Sequence, residues 1–420
     1  MLSQEDNETL VRVGEGTPTG ELIRRFWLPA LLSEEVAERD GKPARVRLLG
    51  ENLVAFRDTE GRIGLLEEQC PHRGASLALG VNEECGVRCL YHGWKFGVDG
   101  QCLDTPTEPD ASTLKTRIRA KAYLTREAGG VVWTYMGPAD AVPAFPEFEW
   151  LSMPADKVMA FKVMEDCNYA QAVEGTIDSA HAGVLHRESP WGGEAKYPHE
   201  KDLTPKLEVE YTPYGLRYGA VRKLDDARSH VRITQVVAPF YTLIPQDGAG
   251  PRKDRRLVNA FVPRDDTSTW HIQWFFDPTQ PVDRAHRINE GGHWVDENFR
   301  KELNIDNWYQ QDREMMRTTN MSGIKGILTQ DHAVSETQGR ILDRTKEHLG
   351  TSDVAVVAWR RQILRTARAL AEKGEAPPMT TAPIDWGQIK AATVVFPSSV
   401  SWKDHVPLGQ EAKFLPSVAA

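Results

Sequence analysis

The chain has 420 residues, 40% of them apolar, enough to bury a large core and too many for one small module, so two domains are expected. A formal net charge of -9 and a sequence pI of about 5.8 give no electrostatic footprint for nucleic acid or an anionic membrane. No apolar run approaches the ~20 residues of a membrane span, and Met1-Leu2-Ser3-Gln4-Glu5-Asp6 is too acidic for a secretory leader, so the expected compartment is the cytoplasm.

The first expected element is a short helix. Thr19 ahead of Gly20-Glu21 reads as its cap, Leu22, Ile23, Phe26 and Trp27 recur at helical spacing, and Pro29 ends it after one or two turns. From Ala44 the period changes to two: Val46 and Leu48, then Leu53, Ala55 and Phe56, then Ile63, Leu65 and Leu66, separated by turn residues. These are short antiparallel strands.

They lead into Cys70-Pro71-His72-Arg73-Gly74 and then, with sixteen residues between His72 and Cys89, into Cys89-Leu90-Tyr91-His92-Gly93-Trp94. Cys70, His72, Cys89 and His92 offer two thiolates and two imidazoles. Such a set suits structural zinc or a Rieske cluster, in which one iron takes two thiolates and the other two imidazoles. Zinc fingers of the Cys2His2 kind keep the Cys together and the His together, whereas here each turn contributes one of each, which serves two different irons. Gly74 and Gly93 let each turn close tightly and aim amide N–H groups at bridging sulfides. Four scattered core residues would have to form two matching turns by coincidence. Cys85, Cys102 and Cys167 are read as ordinary buried thiols, since five Cys in a chain this long make no disulfide framework.

Strands resume on both sides of the Asp99-Gly100 turn, and Tyr123-Leu124 with Val131–Met136 close a small β-sandwich near Gly137, with the ligand turns at its tip and the imidazoles facing outward. Pro138 to Pro154 holds four prolines and several acids and reads as the crossing between a domain at 1–150 and another at 151–420.

The second chemical cluster lies between Asp166 and His186. Glu174, Asp178 and His181 are spaced to share one face of a helix, and His186 follows Gly183, where a helix could bend. Two imidazoles with a carboxylate from elsewhere make the facial triad of a non-haem Fe(II) site, with positions left open for oxygen. Two His at this spacing are otherwise commonly structural.

From Lys206 to Pro281 the sequence alternates again and is rich in aromatic and branched residues, as a core sheet or the wall of an apolar pocket would be. Arg217, Arg222 and Arg232 on these strands are either surface residues or, turned inward, clamps for a substrate carboxylate. Trp308 to Met316 is expected to be helical, Asn320–Gly323 breaks it, and a second helix carries Asp331. Asp312, Asp331 and Asp343 are the carboxylates available to complete the triad. Val354 to Ala371 has helical spacing and no assigned chemistry.

The pair C-P-H-R-G and C-x-Y-H-G-W resembles the Rieske motif of the aromatic ring-hydroxylating oxygenases, and Asp178-x-x-His181-x-x-x-x-His186 resembles their iron-binding motif. Respiratory Rieske subunits usually carry an extra Cys beside each turn, where this chain has Ala75. The N-terminal segment is similar to the start of phthalate-dioxygenase-like enzymes. The resemblance implies an α+β fold: an N-terminal Rieske β-sandwich, then a larger catalytic domain with an antiparallel sheet flanked by helices, helix-grip-like. It implies a 2Fe-2S Rieske cluster on Cys70, His72, Cys89 and His92. It also implies a mononuclear Fe(II) on His181, His186 and Asp331, the acid that stands five residues ahead of Glu336 as in the family. Asp178 resembles the acid that links the Rieske His of a neighbouring subunit to an iron-ligand His. The implied function is that of a terminal oxygenase α subunit. It takes electrons from an NAD(P)H-dependent reductase carrying flavin and a ferredoxin-type cluster, and uses O2 to hydroxylate or O-demethylate an aromatic compound, with an aromatic carboxylate expected. The implied assembly is a homotrimer. The alternatives are a Rieske electron-transfer protein without oxygenase activity and a structural zinc site.

Overall fold

The computed structural model describes residues 1–246 and 254–406. Its first helix, α1 (Gln4–Val11), is capped by Ser3, whose side chain accepts from the Asp6 N–H. The second, α2 (Pro18–Arg24), begins earlier than the sequence suggests. Thr17, rather than Thr19, caps it by accepting from the Gly20 N–H, and Pro18 takes the first helical position, where its missing N–H costs nothing. The helix stops at Arg24, so Trp27 and Pro29 belong to strand β1 (Trp27–Leu32) instead. Pro29 is tolerated there because β1 is the edge of a three-stranded sheet and its register shifts between Pro29 and Leu31.

The strands expected from the period-two pattern form. A meander of β2 (Ala44–Leu48), β3 (Glu51–Arg57) and β4 (Ile63–Glu67) leads to a four-stranded sheet of β5 (Val81–Glu83), β6 (Gly86–Arg88), β7 (Lys95–Gly97) and β8 (Cys102–Asp104). Then β9 (Leu124–Ala128) and β10 (Val131–Tyr135) join β1 in the order β1-β10-β9.

Strand β11 (Val158–Glu165) begins the larger sheet, which continues with β12 (Lys206–Thr212), β13 (Gly215–Lys223), β14 (Arg228–Val237), β15 (Tyr241–Ile244), β16 (Arg256–Asp265) and β17 (Ser268–Phe276). Its order is β11-β17-β16-β15-β14-β13-β12, antiparallel throughout, and β18 (Ala392–Pro397) pairs with the first half of β14. Helix α3 (Tyr169–Ile177) lies against β15, β16 and β17, followed in the chain by the short α4 (Pro198–Lys201), α5 (Arg284–Gly291), α6 (Met315–Thr318) and α7 (Ile327–Glu336). The long α8 (Val354–Lys373) covers β12 and β13 and ends at Gly374. This is the α+β arrangement expected, a β-rich N-terminal part and a larger antiparallel sheet with helices across it. The helix expected from Trp308 to Met316 is broken, because Trp308 and Tyr309 take left-handed backbone angles between a short 3-10 helix and α6.

Two cores serve different parts. A small one packs Phe56, Leu66, Leu77, Val87, Trp94 and Phe96 around Cys70 and Cys89. A much larger one is continuous from α1 and α2 through β10 into the large sheet, with Trp133 stacked on Trp274 at 5.6 Å and Phe148 on Trp150 at 4.3 Å. The proline-rich crossing is therefore packed chain, and α1 and α2 dock onto α8, which fixes the base of the tip relative to the sheet.

Candidate metal centres

The two Cys/His turns are built alike. In each, the Cys N–H donates to a carbonyl five residues on, Ala75 or Trp94, at 2.8 Å, and the Gly N–H donates back to the Cys carbonyl at 2.9 Å in the first turn and 3.0 Å in the second. Gly74 at φ 72° and Gly93 at φ 75° sit in the left-handed region that closes the turns. Cys70 and Cys89 are buried, while His72 and His92 are half-buried at the tip and Leu90 and Tyr91 are exposed. The His72 ring stacks on Trp94 at 4.2 Å and lies 4.5 Å from the His92 ring. His92 Nδ1 is buried with no hydrogen-bond partner, a donor atom that a metal would satisfy. Burial, with Cys89 beside it, pushes the Cys70 thiol up to about 11, so two thiolates coexist here only with metal charge between them. The donor set, two soft sulfurs below and two imidazoles above, fits a Rieske cluster.

The second site is assembled from distant segments. Helix α3 ends at Ile177 with Asp178 as its C-cap, so Glu174, Asp178 and His181 do not share a helical face as the spacing suggested. Glu174 points the other way, into a buried ion network with Arg344 and Arg360 that ties α3 to α8. His181 stands on a one-turn 3-10 helix (His181–Gly183), held from beneath by Arg222, which donates to the Ser179 carbonyl at 2.8 Å. Gly183 is needed for space. A Cβ there would lie 2.2 Å from the His199 carbonyl oxygen of α4. Asp331 comes from the second turn of α7, whose C-terminal end is pinned by Glu336. That carboxylate accepts from Lys301 Nζ, from the Tyr309 hydroxyl at 2.5 Å and from the Asp166 N–H at 2.8 Å.

The three donor atoms converge. His181 Nε2 lies 3.2 Å from His186 Nε2 and 3.5 Å from Asp331 Oδ1, and His186 Nε2 lies 3.0 Å from Asp331 Oδ1. Asp178 Oδ2 stands 3.6 Å from His181 Nδ1, and its other oxygen accepts from the Ala180 N–H at 2.7 Å. The rear of His186 is held by Gln330, a residue the sequence did not suggest. Its Oε1 is 2.8 Å from His186 Nδ1, and its Nε2 donates to the Ile324 carbonyl, which fixes the amide so that His186 carries its proton on Nδ1 and turns a lone pair on Nε2 toward the centre. Burial disfavours an imidazolium at His181, but Asp178 and Asp331 outweigh it and push it up to about 10. Burial likewise favours a neutral Asp331, yet His186 and His181 hold its carboxyl well below the usual range. Cationic charge is thus stabilised at the point where a divalent ion would sit.

The competing acids are elsewhere: Asp312 is exposed and caps a turn by accepting from the Glu314 N–H, and Asp343 binds Thr345. None of the arginines considered as carboxylate clamps reaches the site. Arg217 is buried against Glu210 and the Val406 carbonyl, Arg222 supports the His181 segment, and Arg232 donates to the Pro245 carbonyl. Strand register turns them toward neighbouring backbone and acids, which period-two spacing alone does not reveal.

A Rieske [2Fe-2S] domain model matches residues 26–118, and a model described as LigXa C-terminal domain like matches residues 134–418. The chain belongs to the Rieske oxygenases. It is 41% identical to the phthalate 4,5-dioxygenase oxygenase subunit of Pseudomonas putida over 96% of this chain and 95% of the relative. It is 34% identical to the 3-chlorobenzoate-3,4-dioxygenase oxygenase subunit of Comamonas testosteroni over 96% of this chain and 97% of the relative. Among solved structures, dicamba monooxygenase bound to dicamba shares the fold with a TM-score of 0.62 at 19% identity, covering 84% of this chain and 99% of that one. As a Rieske oxygenase of this kind the chain is a terminal oxygenase component, with a Rieske 2Fe-2S cluster and a mononuclear iron as its cofactors.

In this Rieske oxygenase a cavity of about 60 Å³ opens beside Asp331, between α3, α7 and the large sheet. Its walls are apolar at Ile244, Leu257, Phe261 and Leu328, and polar at Asn259, His271, Gln273 and Arg287. Arg287 of α5 lies over the Phe275 ring and 3.1 Å from Glu290, with its Nε buried and unpartnered. His271 and Gln273 alternate on β17, which is buried along its whole length, so period-two spacing does not mark them as cavity-lining.

Proposed function

We propose that this terminal oxygenase inserts oxygen into an aromatic carboxylate at the His181, His186 and Asp331 centre, with electrons arriving through Cys70, His72, Cys89 and His92. The observation that carries the reading is the convergence of two imidazole nitrogens and one carboxylate oxygen, none more than 3.5 Å from another, with the carboxylate of Asp331 lining a cavity. A Rieske cluster held by Cys70, His72, Cys89 and His92 would supply single electrons at roughly -150 to +300 mV, and an Fe(II) held by His181, His186 and Asp331 would supply open coordination positions for oxygen. The chain's own residues do the rest. Gln330 holds the His186 tautomer, the Asp178 carboxylate faces His181 Nδ1 at 3.6 Å, and α7 keeps Asp331 in place through Glu336.

The apolar walls suit a ring, and Arg287 in the same lining supports a carboxylate, since its guanidinium is buried and, among the described residues, Glu290 is the one acid paired with it. Several relatives are named for acting on aromatic acids, phthalate and 3-chlorobenzoate among them. The electron donor is an NAD(P)H-dependent reductase with flavin and a ferredoxin-type cluster. The working assembly is a homotrimer in the cytoplasm, in which Asp178 links a neighbouring subunit's Rieske His to His181, and the role is aromatic catabolism. Residues 1–150 act as the electron-entry domain and residues 151–420 as the catalytic domain. One experiment tests the core of this: iron content, visible spectrum and O2 uptake with aromatic acids, compared between the wild type and Asp331→Ala, Asp312→Ala and Asp343→Ala. Only Asp331→Ala should lose the mononuclear iron and turnover while keeping the Rieske spectrum. For the substrate, Arg287→Gln should raise KM for an aromatic acid at least about tenfold, as loss of a charge-assisted pair predicts, and leave the neutral amide unaffected.

A further inference from the structure

A second triad of two imidazoles and a carboxylate lies on the same cavity. Glu165 at the end of β11, His271 on β17 and His332 on α7 are all buried, with side chains no more than 3% exposed. Glu165 Oε1, His271 Nδ1 and His332 Nε2 form a triangle whose three sides are each 3.2 Å. Around an ion with bonds of about 2.1 Å, donor atoms stand about 3.0 Å apart on an octahedral face and about 3.4 Å apart on a tetrahedral one, so this triangle is the right size for a metal. It is as tight as the triangle of His181, His186 and Asp331.

Hydrogen-bond counting points the same way. Asn259 Oδ1 accepts from Gln273 Nε2 at 2.8 Å, while Asn259 Nδ2 donates to Thr242 Oγ1, so the amide is oriented and His271 Nε2, 3.0 Å from the same oxygen, is the donor. His293 Nε2 bonds the Gln273 carbonyl at 2.9 Å and keeps that amide in the same sense. In a neutral His271 the Nδ1 lone pair then faces the triangle. Glu165 Oε1 adds a second set of lone pairs and has no hydrogen-bond donor of good geometry. The single Nε2–H that His332 can supply serves one of them and leaves the other buried and unpaired, at a cost proteins avoid. A cation at the centre satisfies all three donor atoms at once, with the Asn259 contact holding the imidazole as outer hydrogen bonds do in metal sites.

We propose that Glu165, His271 and His332 form a second metal site, distinct from the mononuclear iron centre, that takes a divalent transition ion such as Zn²⁺. All three residues line the cavity, so the remaining coordination positions face it and would accept water or an oxygen of a bound ligand. Asp331 and His332 are neighbours on α7, which places the two sites on one helical turn and makes the cavity the space between them. The inference does not depend on the identity of the substrate.

The test uses the full-length protein with its Rieske cluster and iron in place. It is incubated with Zn²⁺, freed of excess metal, and its zinc and iron are counted for the wild type, Glu165→Gln and His271→Ala. In parallel, wild-type crystals exposed to Zn²⁺ are measured on both sides of the zinc absorption edge. The expected result is one tightly held zinc per wild-type chain, lost in both variants with the iron count and Rieske spectrum unchanged, and anomalous density within the triangle. The wild-type diffraction stands even where a variant does not fold. Equal zinc in wild type and Glu165→Gln, or zinc density at His181, His186 and Asp331 alone, overturns the proposal and leaves a hydrogen-bonded acid–imidazole cluster, without touching the assignment of the iron centre.

Discussion

The Rieske turns and the mononuclear iron site use similar donors, but the chain builds them in opposite ways. At the tip, each turn delivers its Cys and His within three residues, and two backbone hydrogen bonds per turn fix their direction. Local sequence is enough to make half a site, and the small core shared by Cys70 and Cys89, with His72 stacked on Trp94, brings the halves together. The iron site has no such local solution. Its two imidazoles come from an irregular segment after α3, its carboxylate from α7, and its geometry depends on Arg222, Gly183 and Glu336, none of which donates to the centre. A site made by turns tolerates change around it, whereas one made by packing depends on its supports.

Exchanging the damage between the two sites gives the largest expected effects. His72→Cys should keep a cluster but lower its potential by roughly a few hundred millivolts, as an anionic thiolate replaces a neutral imidazole. The mononuclear iron should remain. Redox titration with iron analysis checks this, and an unchanged midpoint would refute the ligand assignment. Asp331→Ala should do the converse, losing the mononuclear iron and turnover with the Rieske midpoint intact.

The supports come next. Gln330→Ala removes the acceptor on His186 Nδ1 and should cost about 10–100-fold in iron affinity or kcat, with little effect on stability. Asp178→Asn should leave both metals bound and lower turnover by a similar or larger factor. Single-turnover kinetics with a reduced cluster separates them: Asp178→Asn slows electron arrival at the iron, whereas Gln330→Ala mainly empties the site.

The twin glycines sharpen the comparison within the tip. Both have positive φ, so Ala at either costs about 1–2 kcal/mol. Gly74 has open space where a Cβ would go, whereas at Gly93 the Cβ would meet Pro106 Cγ at 2.7 Å. Gly93→Ala should therefore lower the Tm more than Gly74→Ala; equal shifts would mean that Pro106 yields freely.

The smallest effect concerns the contact between the tip's base and the large sheet. Burial raises Asp265, but Arg47 and the Thr267 N–H outweigh it and bring it to about 2. Its folded pKa lies below the unfolded value of about 4, so the stability it contributes is present above pH 4 and is lost as pH falls toward 2. Asp265→Asn should flatten that acid limb by about 1 kcal/mol at most, measured as Tm against pH, with no change at the metal sites.

Much of this protein was legible in its sequence. Cys70, His72, Cys89 and His92 were readable because their ligand geometry is local, and β2, β3 and β4 because runs of apolar and branched residues stand between clear turns, even though β3 and β4 are buried on both faces. His181 and His186 were expected as a pair, and Asp331 from the family's spacing to Glu336, and the structure brings the three donor atoms together, which supports the proposed iron centre. Other features depend on long-range packing. The cap of α2 moved to Thr17, and Pro29 entered a strand because β1 is an edge. Glu174 turned away to meet arginines some 170 and 186 residues further along the chain. Arg287, Gln330 and the cluster of Glu165, His271 and His332 carry no local signature. A side chain's neighbours across β11, β17 and α7 are set by sheet register and helix docking, which sequence spacing does not encode. Sequence alone determined the candidate donors and the local turns, and the tertiary structure decided which of those side chains come together and what faces the cavity.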